Sequence, residues 1–400
     1  MGDHVLELSE LAKRVDAANR ASERDGARPD VFARVPRHLA RVMLVVLALL
    51  LFAAMVARGG LVPTGAEPPA AEAPGPSAIG DADLDLYARA SERIAAGENY
   101  YDFIVAEQRA RDYPVRPGLT VRLPTLAWLR ALLGEPGMIA AGFALVAAVV
   151  AAWWRRFGEE GVSPRQRRIA TALVFVGCSL ALNPHYLTMH ELWAGCLIAL
   201  AFGLHRVGAR GEGGRWVAAL CAGAVALAIR EHALPFVLLM AAVAAWQRNW
   251  REAAAWSALV AVFLSGLVWH LALVAGHVLP SDPSSASWLA LRGLAGWLGN
   301  VVEASNLHVL PRFVSGPLVI LMAFGWLGWR SRGGPVLALF ALGYGLAFAI
   351  AGRADNFYWG AVVAPSMFAG LAFAPAGFAR LLAAAELRAG GRLGRQTDCA

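Results

Sequence analysis

Apolar runs of membrane-spanning length recur along this chain, separated by short polar breaks. A helix that crosses a bilayer needs ~20 mostly apolar residues, with a range of about 17–25. Runs of that kind start near residues 39, 136, 167, 191, 215, 233, 253, 316, 335 and 360. They predict an all-α polytopic membrane protein with about ten transmembrane helices and a long first external loop carrying interfacial helices. Residues 1–38 are too long an n-region for a cleaved signal peptide, so the run over 39–57 reads as a signal anchor. Beyond it come an external loop over 58–135, a transmembrane bundle over 136–380 and a tail over 381–400.

The polar breaks alternate in character. Arg155, Arg156, Arg165, Arg167 and Arg168 lie between the second and third runs, and Arg206, Arg210 and Arg215 follow the fourth. Arg248 and Arg251, then Arg330 and Arg332, then Arg380, Arg388, Arg392 and Arg395 continue the rhythm at every second break. Short Arg-rich loops stay in the cytoplasm, which puts both termini inside and the loops 58–135, 183–190, 230–232, 276–315 and 352–359 outside. Arg34, Arg37 and Arg41 hold the start of the anchor on the inner side. In the first outer loop, residues 62–79 read as a Pro/Ala/Gly linker. Residues 82–96 read as a helix with Asp81 as N-cap and Gly97 at its stop. Residues 118–133, an apolar run broken by Arg122, Pro124 and Arg130, suit a helix lying on the membrane. The first 38 residues carry a short amphipathic pattern of Leu6, Leu8, Leu11 and Val15.

Composition agrees with a bilayer setting. The chain of 400 residues is 58% hydrophobic and 16% charged, where a soluble domain carries about 25% charged residues. The net charge of +7 suits cytoplasmic loops against anionic lipid. No basic stripe is interleaved with exposed aromatics, so nucleic acid is not an expected partner. Cys178, Cys196 and Cys221 fall inside apolar runs and read as small buried side chains; Cys399 lies near the end, and no CxxC occurs.

Away from the basic inner loops, polar chemistry collects outside. The first outer loop carries Asp81, Asp83, Asp85 and Tyr87, then Tyr100, Tyr101 and Arg122. Arg230, Glu231 and His232 are wedged between two apolar runs, and Arg353, Asp355, Tyr358 and Trp359 follow the ninth. A charge at membrane depth is costly and marks a functional candidate. Carboxylates suit proton abstraction from a hydroxyl, arginines suit a phosphate, and aromatic faces suit a sugar ring. Structural explanations compete for each residue. Asp81 can cap a helix, Asp85 can pair with Arg89 at i+4, Glu231 can neutralise Arg230, and Arg353 can pair with Asp355. Asp83 is left with the weakest structural excuse.

On these stretches the chain resembles the GT-C superfamily of membrane glycosyltransferases. It is most similar to the polyprenol-phosphate-mannose-dependent mannosyltransferases and to the aminoarabinose and protein O-mannosyl transferases. The residues that carry the resemblance are Asp83-Leu-Asp-Leu-Tyr87, Gly97-Glu-Asn-Tyr-Tyr101, Tyr113-Pro114, Arg122-Leu-Pro124, Arg230-Glu-His-Ala-Leu-Pro235, and Arg353 to Tyr358 followed by Pro365. The resemblance implies an inverting transfer of a sugar from a polyprenyl-phosphate donor to a hydroxyl acceptor on a lipid or envelope glycan. Asp83 would be the general base with Asp81 and Asp85 as neighbours. Arg230, Glu231, His232, Arg353, Tyr358, Tyr87 and Arg122 would contact the donor phosphate or substrate. At Arg230 the chain departs from the Lys-Gly-Pro-like run of those families. The implied setting is the bacterial inner membrane, with the active site on its external face and membrane lipids around it.

Two other functions share the layout, a transporter or flippase of lipid-linked glycans and an O-antigen ligase or polymerase. Transporters place ionisable groups near the midplane and repeat their halves, whereas these groups sit at one surface. No cofactor is called for. A divalent metal held by His185, His190, Glu191 and His232 is the less favoured reading, because the H-x4-H-E order is not the zincin arrangement.

Overall fold

A computed structural model describes residues 30–57, 76–207 and 215–386, with residues 76–82 described by backbone alone. The N-terminal amphipathic pattern, most of the Pro/Ala/Gly linker and the Arg-rich tail lie outside the described residues. Among the described residues the protein is all-helical, with no strand and only two isolated bridges, Arg116 to Ser284 and Leu289 to Ala351. The helices are α1 (Arg37–Val56), α2 (Pro76–Ala95), α3 (Tyr100–Arg109), α4 (Thr125–Glu159), α5 (Pro164–Cys178), α6 (His190–Leu204) and α7 (Val217–Ile229). There follow α8 (Leu234–Trp246), α9 (Trp250–Ala275), α10 (Gly293–Glu303), α11 (Arg312–Gly328) and α12 (Gly333–Ile350). The chain ends in a 3-10 segment (Ala354–Val362), α13 (Ala364–Met367), a second 3-10 turn (Phe368–Ala372) and α14 (Ala374–Glu386).

Helical structure begins near each expected apolar run, but the runs are cut to different lengths. Four helical stretches are long and apolar enough to cross a membrane: Arg37–Val56, Gly118–Glu159, Trp250–Ala275 and Gly333–Ile350. The pair Ala364–Ala372 and Ala374–Glu386, bent by 60°, makes a fifth if it is one span. Four other apolar helices, His190–Leu204, Val217–Ile229, Glu231–Trp246 and Arg312–Gly328, are shorter. Local chemistry explains the cuts. The backbone leaves the helix at Arg230 (φ −147, ψ 119), where the charged triplet begins. Within α4 it breaks at Gly134 (φ 65, ψ 177), a conformation that glycine adopts without a Cβ penalty. The stretch expected to lie on the membrane is thus continuous, across this kink, with the second apolar run.

Three local expectations are corrected. Helix α2 begins at Pro76, a residue favoured at the first helical position, so Asp81 lies inside the helix and is not its N-cap. Residues 76–79 are therefore helix and not linker. Arg89 reaches Glu107 at 3.6 Å and not Asp85, because Glu107 also binds Arg93 and Arg111 and forms the stronger acidic centre. Cys178 and Cys196 are buried, but Cys221 is exposed on the outer surface of α7.

The end of α2 is well specified. Gly97 takes φ +93, and the amides of Gly97 and Glu98 bond back to the carbonyls of Ile94 and Arg93, which is the Schellman arrangement. The turn sends the chain into α3, capped by the Asn99 side chain on the Tyr101 amide. Together α2, α3 and the segment to Pro124 form a cap with its own core of Ala90, Tyr100, Phe103, Ile104, Val105, Val115 and Val121 against Val274. Polar ties fix the cap to α9 and the loop after it. The Tyr101 hydroxyl lies 3.0 Å from His270 Nδ1, and His270 Nε2 lies 3.1 Å from the Val121 carbonyl oxygen. Arg109 forks onto buried Asp282, and Arg116 donates to the Asp282 carbonyl from Nε at 3.0 Å and Nη2 at 2.6 Å.

Candidate functional site

A cavity of about 320 Å³ lies between the cap and the helical bundle, a size within the range of small-ligand sites. Five stretches far apart in sequence line it. Helix α2 supplies Asp83, Leu86 and Tyr87, and the cap segment supplies Gln108, Tyr113, Pro114, Leu119, Thr120 and Arg122. The break between α7 and α8 supplies Arg230, Glu231 and His232. The loop after α9 and the 3-10 segment supply Ser285, Trp288, Arg353, Asp355, Asn356, Tyr358 and Trp359. Asp83, Leu86 and Tyr87 share a face because residues three and four apart on a helix do. Asp85 is turned ~200° from Asp83 by the helical repeat and is exposed away from the cavity. Asp81 lies among the residues described by backbone alone.

Arg122 is the hub of the inner wall. Its Nε donates to the Tyr87 hydroxyl at 3.0 Å and its Nη2 to the Tyr358 hydroxyl at 3.3 Å. Its guanidinium carbon stands 5.9 Å and 6.0 Å from the centres of the Tyr87 and Tyr358 rings, within cation–π range. The Arg122 backbone is pinned by the Tyr100 hydroxyl, which donates to its carbonyl at 2.7 Å. Behind the wall lies Glu191, buried at the start of α6, with Oε1 at 2.7 Å from Arg230 Nε and 3.8 Å from Arg122 Nη2. Arg230 also binds Glu231 through Nη1. The His232 ring packs on Trp359 at 4.5 Å, and its backbone carbonyl accepts from the Tyr344 hydroxyl at 2.5 Å.

Asp83 has an unusual setting for an acid. Burial raises its pKa above the ordinary aspartate range, and the negative charges of Glu191 and Asp355 add to the rise. A side-chain hydrogen bond with Tyr113 and the Arg122 charge hold it down in part. Burial likewise pushes the Tyr113 hydroxyl up, so it stays protonated and serves as donor to the carboxylate. A desolvated carboxylate beside aromatic hydroxyls and guanidiniums is a stronger base than an ordinary aspartate and is equipped to take a proton from a hydroxyl.

No protein-family model, curated protein or solved structure matches the chain. Of the ten residues given a catalytic or substrate-contact role from the sequence, eight line the cavity: Asp83, Tyr87, Arg122, Arg230, Glu231, His232, Arg353 and Tyr358; Tyr113, Pro114, Asp355 and Trp359, also noted in the sequence, line it too. Several lining residues were not singled out. Ser285 and Trp288 sit in the loop after α9, without helical or strand period, so nothing in their spacing points to a site. Gln108 sits on the inner face of an amphipathic helix, a polar residue among Phe103, Ile104 and Val105. Among the described residues no cluster of three His, Cys, Asp or Glu side chains has metal-site geometry.

Proposed function

We propose that the protein is a membrane glycosyltransferase of GT-C type, moving a sugar from a polyprenyl-phosphate donor to a hydroxyl acceptor. The single observation that supports it is the meeting of a desolvated carboxylate, Asp83, with Arg122, Arg230, Tyr87, Tyr358 and Trp359 in one cavity. In this reading the acceptor oxygen attacks the anomeric carbon while Asp83 takes its proton. The bond from the anomeric carbon to the phosphate oxygen breaks, the lipid phosphate leaves with the bonding pair, and the configuration inverts. Guanidiniums at the phosphate stabilise the charge that grows on the leaving group. The tyrosines and Trp359 offer faces to the sugar ring.

The proposal includes the topology. In this reading the chain makes about ten spans, four or five of them regular and the rest short or broken, and the cap and cavity lie on the external side of a bacterial inner membrane. The acceptor is a lipid or an envelope glycan on that side.

The test is a proteoliposome assay with radiolabelled polyprenyl-phosphate sugar and membrane-extracted acceptor lipids. The proposal predicts label in a new glycosidic linkage with inverted anomeric configuration. Movement of the intact lipid-linked sugar across the bilayer, with no new glycosidic bond, would instead identify a flippase. Mass spectrometry of envelope glycans from a deletion strain identifies the sugar and the acceptor.

A further inference from the structure

Helix α3 turns one face into the core of the cap. Tyr100, Phe103, Ile104 and Gln108 recur at the i, i+3, i+4 and i+8 spacing of a buried helical face. The first three pack with Val115 and Val121. The fourth position therefore calls for an apolar side chain and holds an amide instead. Gln108 is 5% exposed, and burying an amide is costly unless both of its ends are hydrogen-bonded.

Only one of those ends is bonded. Nε2 donates to the Thr120 carbonyl at 3.4 Å, and Oε1 has no hydrogen-bond partner. The Thr120 carbonyl can only accept, so it fixes which end of the amide is which and leaves Oε1 as the open acceptor. Gln108 lines the cavity. Its neighbours on that wall have their donors engaged elsewhere. Thr120 Oγ1 donates to the Pro117 carbonyl at 3.0 Å, Arg122 donates to the Tyr87 and Tyr358 hydroxyls, and the Tyr113 hydroxyl bonds Asp83. The Gln108 backbone is held as well, because its carbonyl accepts from the amides of Arg111 at 3.1 Å and Tyr113 at 3.0 Å. The residue that bonds the proposed base thus hangs from Gln108 itself.

Resting on the glycosyltransferase reading above, we propose that Gln108 is a specificity-determining residue whose Oε1 accepts a hydrogen bond from a hydroxyl of the transferred sugar. Asp83 takes the proton of the acceptor oxygen, and the anomeric carbon stands beside that oxygen during attack. Gln108 is joined to Asp83 through Tyr113, so the ring that carries the anomeric carbon lies next to it. A sugar with the matching hydroxyl completes the amide. A sugar without it leaves a buried acceptor unpaired, and a site built this way rejects the deoxy analogue.

The experiment uses the full-length protein in proteoliposomes, membrane-extracted acceptor lipids, and the farnesyl-phosphate esters of mannose, glucose, galactose and arabinose as donors. The ester that wild type transfers fastest is remade as its set of monodeoxy analogues, and kcat/KM is measured for each. Wild type is expected to use one analogue about 30-fold or more less well than the parent sugar. Gln108→Leu and Gln108→Met are expected to lose the parent by about that factor and to use the parent and that analogue within about threefold of each other. Their ratios for the other analogues stay at the wild-type values. If Gln108 only braces the Thr120 turn, or if water meets Oε1, the variants lower every donor alike or none, and the wild-type ratio survives; that result overturns the inference. So does a wild type that uses every analogue as well as the parent. Leucine and methionine continue the apolar face of α3, and each ratio compares two donors on one protein, so it reads specificity even where a variant is made in lower yield. A wild type that transfers from none of the esters sinks the glycosyltransferase reading itself.

Discussion

The 3-10 segment that carries Asp355, Tyr358 and Trp359 is set by backbone-to-backbone contact at Gly360, and that contact makes a quantitative prediction. A Cβ added at Gly360 would meet the Asn300 carbonyl oxygen of α10 at 2.0 Å and its carbon at 2.4 Å, where ordinary contact is 3.4–4 Å. Clearing the clash means moving the segment off α10 by more than about 1 Å. The other side is no freer, because a Cβ at Gly195 of α6 would meet the Ala361 carbonyl oxygen at 2.0 Å. Overpacking of this kind costs about 1–3 kcal/mol. Gly343 in α12 is the control, since it is exposed and an added Cβ would meet nothing within 4 Å. There Gly→Ala gains up to about 1 kcal/mol of helix propensity. Thermal unfolding in detergent, followed by tryptophan fluorescence, should rank Gly343→Ala at or above wild type and Gly360→Ala several degrees below it, at roughly 2 °C per kcal/mol. Because Tyr358 and Trp359 precede the clash directly, Gly360→Ala should also lose about 10²-fold in transfer rate. Equal melting temperatures for the two variants would refute the wedged packing of the 3-10 segment.

Two further outcomes follow from the site and its cap. The raised pKa of Asp83 means that its carboxylate form is lost, as pH falls, at a higher pH than for an ordinary aspartate, so transfer rate declines on that acid limb. The Tyr113 hydrogen bond holds the pKa down, so Tyr113→Phe shifts the limb to higher pH; a shift to lower pH contradicts the assignment. Asp282→Ala removes the fork from Arg109 and the acceptor for the Leu279 amide. It should loosen the cap over the cavity and lower kcat/KM about tenfold, with faster proteolysis of the loop after α9 as the independent readout.

Much of the helical layout was legible in the hydrophobic rhythm, because apolar runs near 39, 253 and 335 become the regular helices α1, α9 and α12. Span length was less legible. The run expected from 215 stops at Ile229, since the Arg230-Glu231-His232 triplet takes the chain out of the helix to place charges on a cavity. Within the aspartate cluster, the i, i+3, i+4 relation of Asp83, Leu86 and Tyr87 was readable, and it separates Asp83 from Asp85. The capping role given to Asp81 was misjudged, because local spacing does not reveal that the helix starts at Pro76. The Asp85–Arg89 pair was misjudged for a tertiary reason. Arg89 has a better acid in Glu107, which α3 brings across, and no i+4 rule sees that residue. Glu191 was noted only as part of a histidine-rich loop; its place behind two guanidiniums depends on three separate breaks in the helical pattern meeting at one depth.

The central claim is that Asp83 is the base in this cavity, and Asp83→Asn tests it most directly. The substitution preserves size and hydrogen bonding but cannot take the acceptor proton. Transfer from radiolabelled polyprenyl-phosphate sugar should fall by about 10²–10⁴-fold, as for loss of a general base, with affinity for a sugar-free polyprenyl monophosphate retained. Asp85→Asn, exposed two residues away, should transfer at near the wild-type rate. An Asp83→Asn variant that transfers sugar as well as Asp85→Asn would contradict the account.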